Sequence, residues 1–194
     1  MSFAWRMIPR FHPQVGPWDI CRAIGRGPQE LRLPLGGSAG AMRDGEDLFA
    51  LSSATAAIQV ALEALDLPAG SGVAVPIYCC ATVFQAVAEA GHHCVFVDVD
   101  PDTFGFDMDS LLARREEVSA VVSVSTFGFP GDFAALGEAV PGRAIIEDAA
   151  HALGSVDRDG TPVGLRGAAG AFSFSFHKPV SAGGGGLLAV TDPK

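Results

Sequence analysis

Apolar residues at helical spacing mark the first regular element. Ile58, Ala61, Leu62 and Leu65 follow i, i+3, i+4, i+7. Ser52 and Ser53 stand before this run as caps, and Pro68 and Gly70 close it, so the spacing predicts an amphipathic helix with a defined start and stop. Beyond it, short and almost wholly apolar runs alternate with helical patterns. VAVP (73–76), CVFVD (94–98), AVVSV (120–124) and AIIED (144–148) read as strands, separated by helices over about 81–90, 110–117 and 133–140. Apolar strands joined by helices imply an α/β fold, a mainly parallel sheet with helices on both faces, whose ligands gather at the carboxyl ends of the strands. Asp148 lies at one such end.

Beyond it, SVDRDGTPVG (155–164) predicts a hairpin around Asp159-Gly160, followed by an alternating strand AFSFSF (171–176) and a last apolar strand LLAV (187–190). The first fifty residues, rich in Gly, Pro and Arg, read as an irregular N-terminal arm with one short helix near Trp18 to Ile24. Residues 51–194 then form one domain without internal repeats. The sequence stops at Asp192-Pro193-Lys194 just after a strand, which suggests a truncated gene product lacking the helices that close such a sheet.

With 194 residues, 48% of them hydrophobic, the chain can bury a substantial core. The balance of 13 basic against 22 acidic residues gives a net charge of -9, which repels nucleic-acid backbones and anionic membrane surfaces. No apolar run reaches the roughly 20 residues of a membrane-spanning helix, and the first ten residues lack a secretory core, so the expected location is the cytoplasm. The 4 cysteines (Cys21, Cys79, Cys80, Cys94) show no C-x-x-C spacing and read as reduced thiols rather than disulfide partners or metal ligands.

The stretch FSFSFHKPVSAGGGG (172–186) places Lys178 between an alternating strand and a glycine-rich turn. A lysine at the mouth of a sheet can bond covalently to a carbonyl cofactor such as pyridoxal 5'-phosphate (PLP). Three other features fit that cofactor. The helix start at Ala54-Thr55 offers backbone N–H groups and a favourable dipole to a phosphate, and Ser173 adds a hydroxyl. Asp148 can partner the pyridine nitrogen. Each residue also has a structural reading: Asp148 as a turn residue, Thr55 as a cap, Ser173 facing solvent, Lys178 as a solvated loop residue. Gly183 to Gly186 lack the Gly-Lys-Ser/Thr ending of a phosphate loop and read as a tight turn. Asp98 and Asp100 read as turn-fixing residues.

Four segments in order, SSATAAIQVALEAL, VFVDVDPDTF, IEDAAHALGS and FSF with a lysine five residues after its serine, resemble the DegT/DnrJ/EryC1/StrS aminotransferases of fold type I over roughly Leu51 to Asp192. The resemblance implies the large, PLP-binding domain of such an enzyme, incomplete here, with the small C-terminal domain absent. It implies transfer of an amino group from an amino acid such as glutamate to a nucleotide-linked keto-sugar, and a homodimer as the assembly. By it, Lys178 is the catalytic, PLP-bonding lysine, Asp148 the pyridine partner, Ala54 and Thr55 the phosphate cradle, Ser173 a phosphate ligand and His151 a neighbour of the phenolic oxygen. Cys80 occupies the place of the ring that stacks on the cofactor. Ala54 replaces the usual Gly, and Gly184 stands where many members have Glu. The rival expectation is a non-catalytic remnant or subunit that needs another chain to complete its site. A third, a nucleotide-binding domain without covalent chemistry, is opposed by the lack of G-x-G-x-x-G after the first strand.

Overall fold

The computed structural model describes residues 47–191, and within them the apolar runs become strands of one sheet. These are β1 (Asp47–Leu51), β2 (Gly72–Pro76), β3 (His93–Val97), β4 (Ala120–Val124), β5 (Ala144–Asp148), β6 (Ala169–Ser173) and β7 (Gly186–Val190). Across the sheet they lie in the order β1-β7-β6-β5-β4-β2-β3. The strands β3, β2, β4, β5 and β6 are parallel, and β7 runs antiparallel to both β6 and β1. Four helices connect them: α1 (Ala54–Ala64), α2 (Ala81–Glu89), α3 (Met108–Ala113) and α4 (Phe133–Ala139).

Alternation along the strands divides the core in two, because successive side chains point to opposite faces. On one face Val73, Val75, Val122 and Ile146 pack against Ile58 and Leu62 of α1 and Val83 and Val87 of α2. On the other, Ala74, Val95, Val97 and Val121 meet Leu111 of α3 and Leu136 of α4. Each fully buried Ile, Leu or Val contributes about 1.5–3 kcal/mol, so both helical layers are anchored by their apolar stripes. Caps fix the helix starts. The Ser53 hydroxyl accepts from Ala56 N–H at 3.1 Å, and Asp107 and Asp132 do the same for α3 and α4. No helix among the described residues is long and apolar enough to cross a membrane.

Four expectations change. Residues 47–50, read as the end of an irregular arm, belong to β1, because they pair with β7, which lies far along the sequence. The remainder of the arm, including the helix expected near Trp18, lies outside the described residues, as do Asp192 to Lys194. The strand AFSFSF ends at Ser173: the chain turns out of the sheet after Phe174, and Phe176 is left exposed. The hairpin at Asp159-Gly160 shrinks to a single bridge between Val156 and Pro162, because the Asp157 carboxylate takes the N–H groups of Asp159 and Thr161, both at 2.9 Å. The helix over 110–117 is α3 followed by a separate turn of 3-10 helix, Arg115–Glu117.

Candidate active site

The register of three neighbouring strands brings the candidate residues to one end of the sheet. Asp148 pairs with Ala171, so Ser173, two residues further along β6, lies on the same face. Ser173 pairs in turn with Gly186 of β7, and Gly186 with Leu51 of β1. Since Leu51 leads directly into α1, the start of that helix sits at the same carboxyl edge. The seating is tight: a Cβ on Gly186 would lie 2.5 Å from the Ala54 nitrogen and closer still to the Ser53 carbonyl. Only a residue without a side chain lets the helix start approach β7 so closely.

At that helix start two donors remain available. The Ala56 N–H is taken by the Ser53 hydroxyl and the Ala57 N–H by the Ser53 carbonyl, both at 3.1 Å, leaving the N–H groups of Ala54 and Thr55 without an intrahelical acceptor. Ser173, 8% exposed, holds its hydroxyl 3.4 Å from that of Ser175. Two unpaired N–H groups at the positive end of an eleven-residue helix, with a pair of hydroxyls nearby, form a donor set that suits a phosphate.

Asp148 is 6% exposed, and burial pushes its carboxyl above the ordinary range, opposed by a hydrogen bond from Ala150 N–H at 3.0 Å and by the positive charge of Lys178. A cationic N–H placed against this carboxylate would favour its ionised form, as the nitrogen of a protonated pyridine does. Lys178 is half-buried in the excursion from β6 to β7, its N–H bonded to Ser175 O at 3.1 Å. The same lysine charge reaches His151, whose imidazole is held below its ordinary pKa, first by partial burial and then by Lys178. The charge of Lys178 therefore reaches both Asp148 and His151, although the lysine comes from a separate segment of the chain.

The two adjacent cysteines lie in different surroundings. Cys80 is exposed before α2, its sulfur 3.2 Å from the Thr82 hydroxyl. It is Cys79 whose thiol feels Asp148: burial pushes it up to about 12, and the Asp148 carboxylate adds to the shift. Tyr78 packs its ring 6.0 Å from Phe104, which also meets Phe127 at 5.3 Å and Phe129 at 6.4 Å, an aromatic cluster along the carboxyl ends of β2, β3 and β4. Asp100 fixes its turn as expected, accepting from the N–H groups of Asp102 and Thr103 at 2.9 Å.

Sequence reasoning missed Ser175, Cys79 and the structural use of Gly186. The signal for Gly186 was present in the run of four glycines, where a position entering a strand without a turn to make points to close backbone approach. Ser175 was visible only as the next serine on an alternating strand.

The sequence profile of the DegT/DnrJ/EryC1/StrS aminotransferase family matches residues 44–194. The chain is 37% identical over 145 residues to the L-glutamine:scyllo-inosose aminotransferase of Streptomyces griseus, covering 73% of this chain and 34% of that protein. It is 32% identical to the dTDP-4-dehydro-2,3,6-trideoxy-D-glucose 4-aminotransferase of Saccharopolyspora spinosa, covering 78% and 40%. Among solved structures, the GDP-4-keto-6-deoxy-D-mannose-3-dehydratase of E. coli with bound hydrated PLP superposes with a TM-score of 0.69 at 24% identity over 75% of this chain and 39% of that one. The chain thus spans about a third to two-fifths of the length of these three proteins.

Proposed function

The chain belongs to the DegT/DnrJ/EryC1/StrS aminotransferase family, and from that premise we propose that it holds pyridoxal 5'-phosphate at the carboxyl edge of its sheet and serves transamination of a nucleotide-linked keto-sugar. The observation that carries this reading is the convergence of Asp148, Lys178, Ser173 and the open start of α1 through the register of β5, β6 and β7. The donor set suits the phosphate, and the buried acid suits the ring nitrogen.

When bound, the cofactor supplies an electron sink for the carbon that loses its proton. The N–H groups of Ala54 and Thr55 and the Ser173 hydroxyl bind the phosphate. The Asp148 carboxylate orients the ring nitrogen and keeps it protonated. Lys178 would hold the aldehyde end of the cofactor through Nζ and, once freed, would take and return protons there as general base and acid. His151, whose imidazole feels the Lys178 charge, would neighbour the phenolic oxygen, and Cys80 would take the place beside the ring. A second copy of the chain is the proposed assembly, and the cytoplasm the proposed compartment, where exposed thiols such as Cys80 stay reduced.

The test is the absorption spectrum of the purified chain with added pyridoxal phosphate, before and after borohydride, in wild type and Lys178→Ala. A yellow band bleached by borohydride in the wild type alone is expected; a wild-type adduct in the variant would end the proposal. Amino transfer is then assayed with glutamate against a dTDP-linked keto-sugar and a free keto-cyclitol. Turnover of the cyclitol alone would replace the proposed substrate class. Because the chain spans 34% and 40% of two aminotransferase relatives, a second reading is that it needs another chain to complete its site. Cofactor binding without turnover would support it.

A further inference from the structure

Glu147 precedes Asp148 on β5 and so lies on the opposite face of the sheet, 1% exposed and unused by the chemistry above. Its carboxylate nevertheless has three donors around it. The Ser125 hydroxyl donates to Oε1 at 3.3 Å, the Arg166 N–H to Oε2 at 3.5 Å, and the Gly164 N–H adds a third bond. Ser125 follows β4, on one flank of β5. Gly164 comes in from the β6 flank, so closely that a Cβ on it would lie 2.6 Å from Phe172 Cε1 and closer still to Cζ, and one on Gly170 would lie 2.7 Å from the Gly164 carbonyl carbon. The same two flanks hold the backbone at Asp148: Ser125 N–H donates to its carbonyl at 3.0 Å, and Ala149 N–H to Ala171 O at 2.9 Å.

The geometry points to Glu147 as a positioning residue: its carboxylate ties the Ser125 turn and the Gly164 to Arg166 turn around the end of β5 and so sets how Asp148 is presented on the other face, in a manner that depends on the Glu147 proton. Its meaning for cofactor chemistry rests on the assignment of Asp148 to the ring nitrogen. A carboxylate offers charged acceptors to all three donors, whereas a protonated carboxyl carries a donor of its own and accepts more weakly at its protonated oxygen. Burial pushes Glu147 up to about 7, so the exchange falls near neutrality. The charged group acting on it is Asp157, which opposes its ionisation and is itself paired with the Arg166 guanidinium, as is Asp159. The residues that pair with it across the sheet, Ser123 of β4 and Gly170 of β6, are neutral, as are Ser125 and Phe172.

Amide NMR of the full chain between about pH 5 and 9 tests this without any cofactor. The Ser125, Arg166 and Ala150 amides are expected to shift together with one midpoint near 7 in the wild type, and to lose that transition in Glu147→Gln. Ala150 is the informative probe because its N–H bonds to the Asp148 side chain. A still Ala150 amide while Ser125 and Arg166 titrate, or an Ala150 transition that survives in Glu147→Gln, overturns the proposal. Should that variant fail to fold, Ser125→Ala removes a donor that favours the anion, so the midpoint must move upward; an unmoved midpoint is equally fatal. Failure of the Lys178 adduct would refute the cofactor assignment while leaving this result standing.

Discussion

Replacing Gly186 with alanine tests the join between fold and site most directly. The three atoms nearest to the added Cβ are all backbone, the carbonyl carbon and oxygen of Ser53 and the nitrogen of Ala54, so no flexible side-chain end can give way. Gly186 does not have a left-handed φ, and alanine itself adopts its conformation freely; the whole penalty is steric. Overpacking of this kind costs about 1–3 kcal/mol, and a backbone-only clash belongs at the upper end. For a chain of this size, about 3 kcal/mol lowers Tm by about 6–12 °C. The strain is relieved by lifting α1 from β7, which carries the Ala54 and Thr55 N–H groups away from Ser173, so affinity for pyridoxal phosphate falls as well. Thermal denaturation by circular dichroism measures the first effect and a cofactor titration the second. Gly137→Ala is the control, since Gly137 lies in α4 with nothing within 4 Å of its Cβ position; this substitution should stabilise by about 0.5–1 kcal/mol. A Gly186→Ala chain melting within about 1 °C of wild type would refute the tight seating of α1.

Leu62→Ala, emptying a fully buried position under α1, should cost about 2–5 kcal/mol by urea denaturation; a loss below about 1 kcal/mol would mean that this core is loosely packed. Asp148→Asn should keep the borohydride-trapped adduct, depress amino transfer strongly and leave the cofactor-free Tm unchanged or higher, because burial disfavours the carboxylate it replaces; unchanged turnover would show that Asp148 is misassigned. Glu147, raised from 4.5 to about 7, contributes stability that is complete below its unfolded pKa and is lost as pH rises through 7. The loss amounts to about 3 kcal/mol between those limits. Urea denaturation at successive pH values should show this decline in the wild type and not in Glu147→Gln, and parallel profiles for the two proteins would contradict it.

What was legible in the sequence follows from what determines each element. β4 and β5 are apolar runs bounded by polar residues, and the structure gives them the expected limits, Ala120–Val124 and Ala144–Asp148. α1 was equally plain, since its cap, stripe and stop are all local. β1 was missed because Leu48, Phe49 and Ala50 carry no alternation of their own and become a strand only against β7. β6 was drawn too long because the Phe-Ser alternation continues past Ser173, while the backbone leaves the sheet to form the loop that carries Lys178. The use of Glu147 escaped notice for a related reason. A strand pattern shows that an acid is buried, but its three donors come from two turns whose approach is set by glycine contacts distant in sequence.

The direction of β7 is what makes the site possible. A parallel strand after β6 would require a crossover to the opposite end of the sheet, and the segment containing Lys178 would leave the carboxyl edge. Because β7 is antiparallel, its first residue lies beside the last of β6, and the excursion between them must stay over that edge. β1, antiparallel to β7, then ends where β7 begins and releases α1 at the same point. One reversal of strand direction thus delivers a lysine, a close-approach glycine and a helix start to the end of β5, where Asp148 already stands. The parallel half supplies Asp148 and Ser173, and the elements beside the reversed strand supply Lys178 and the open N–H groups of the helix start.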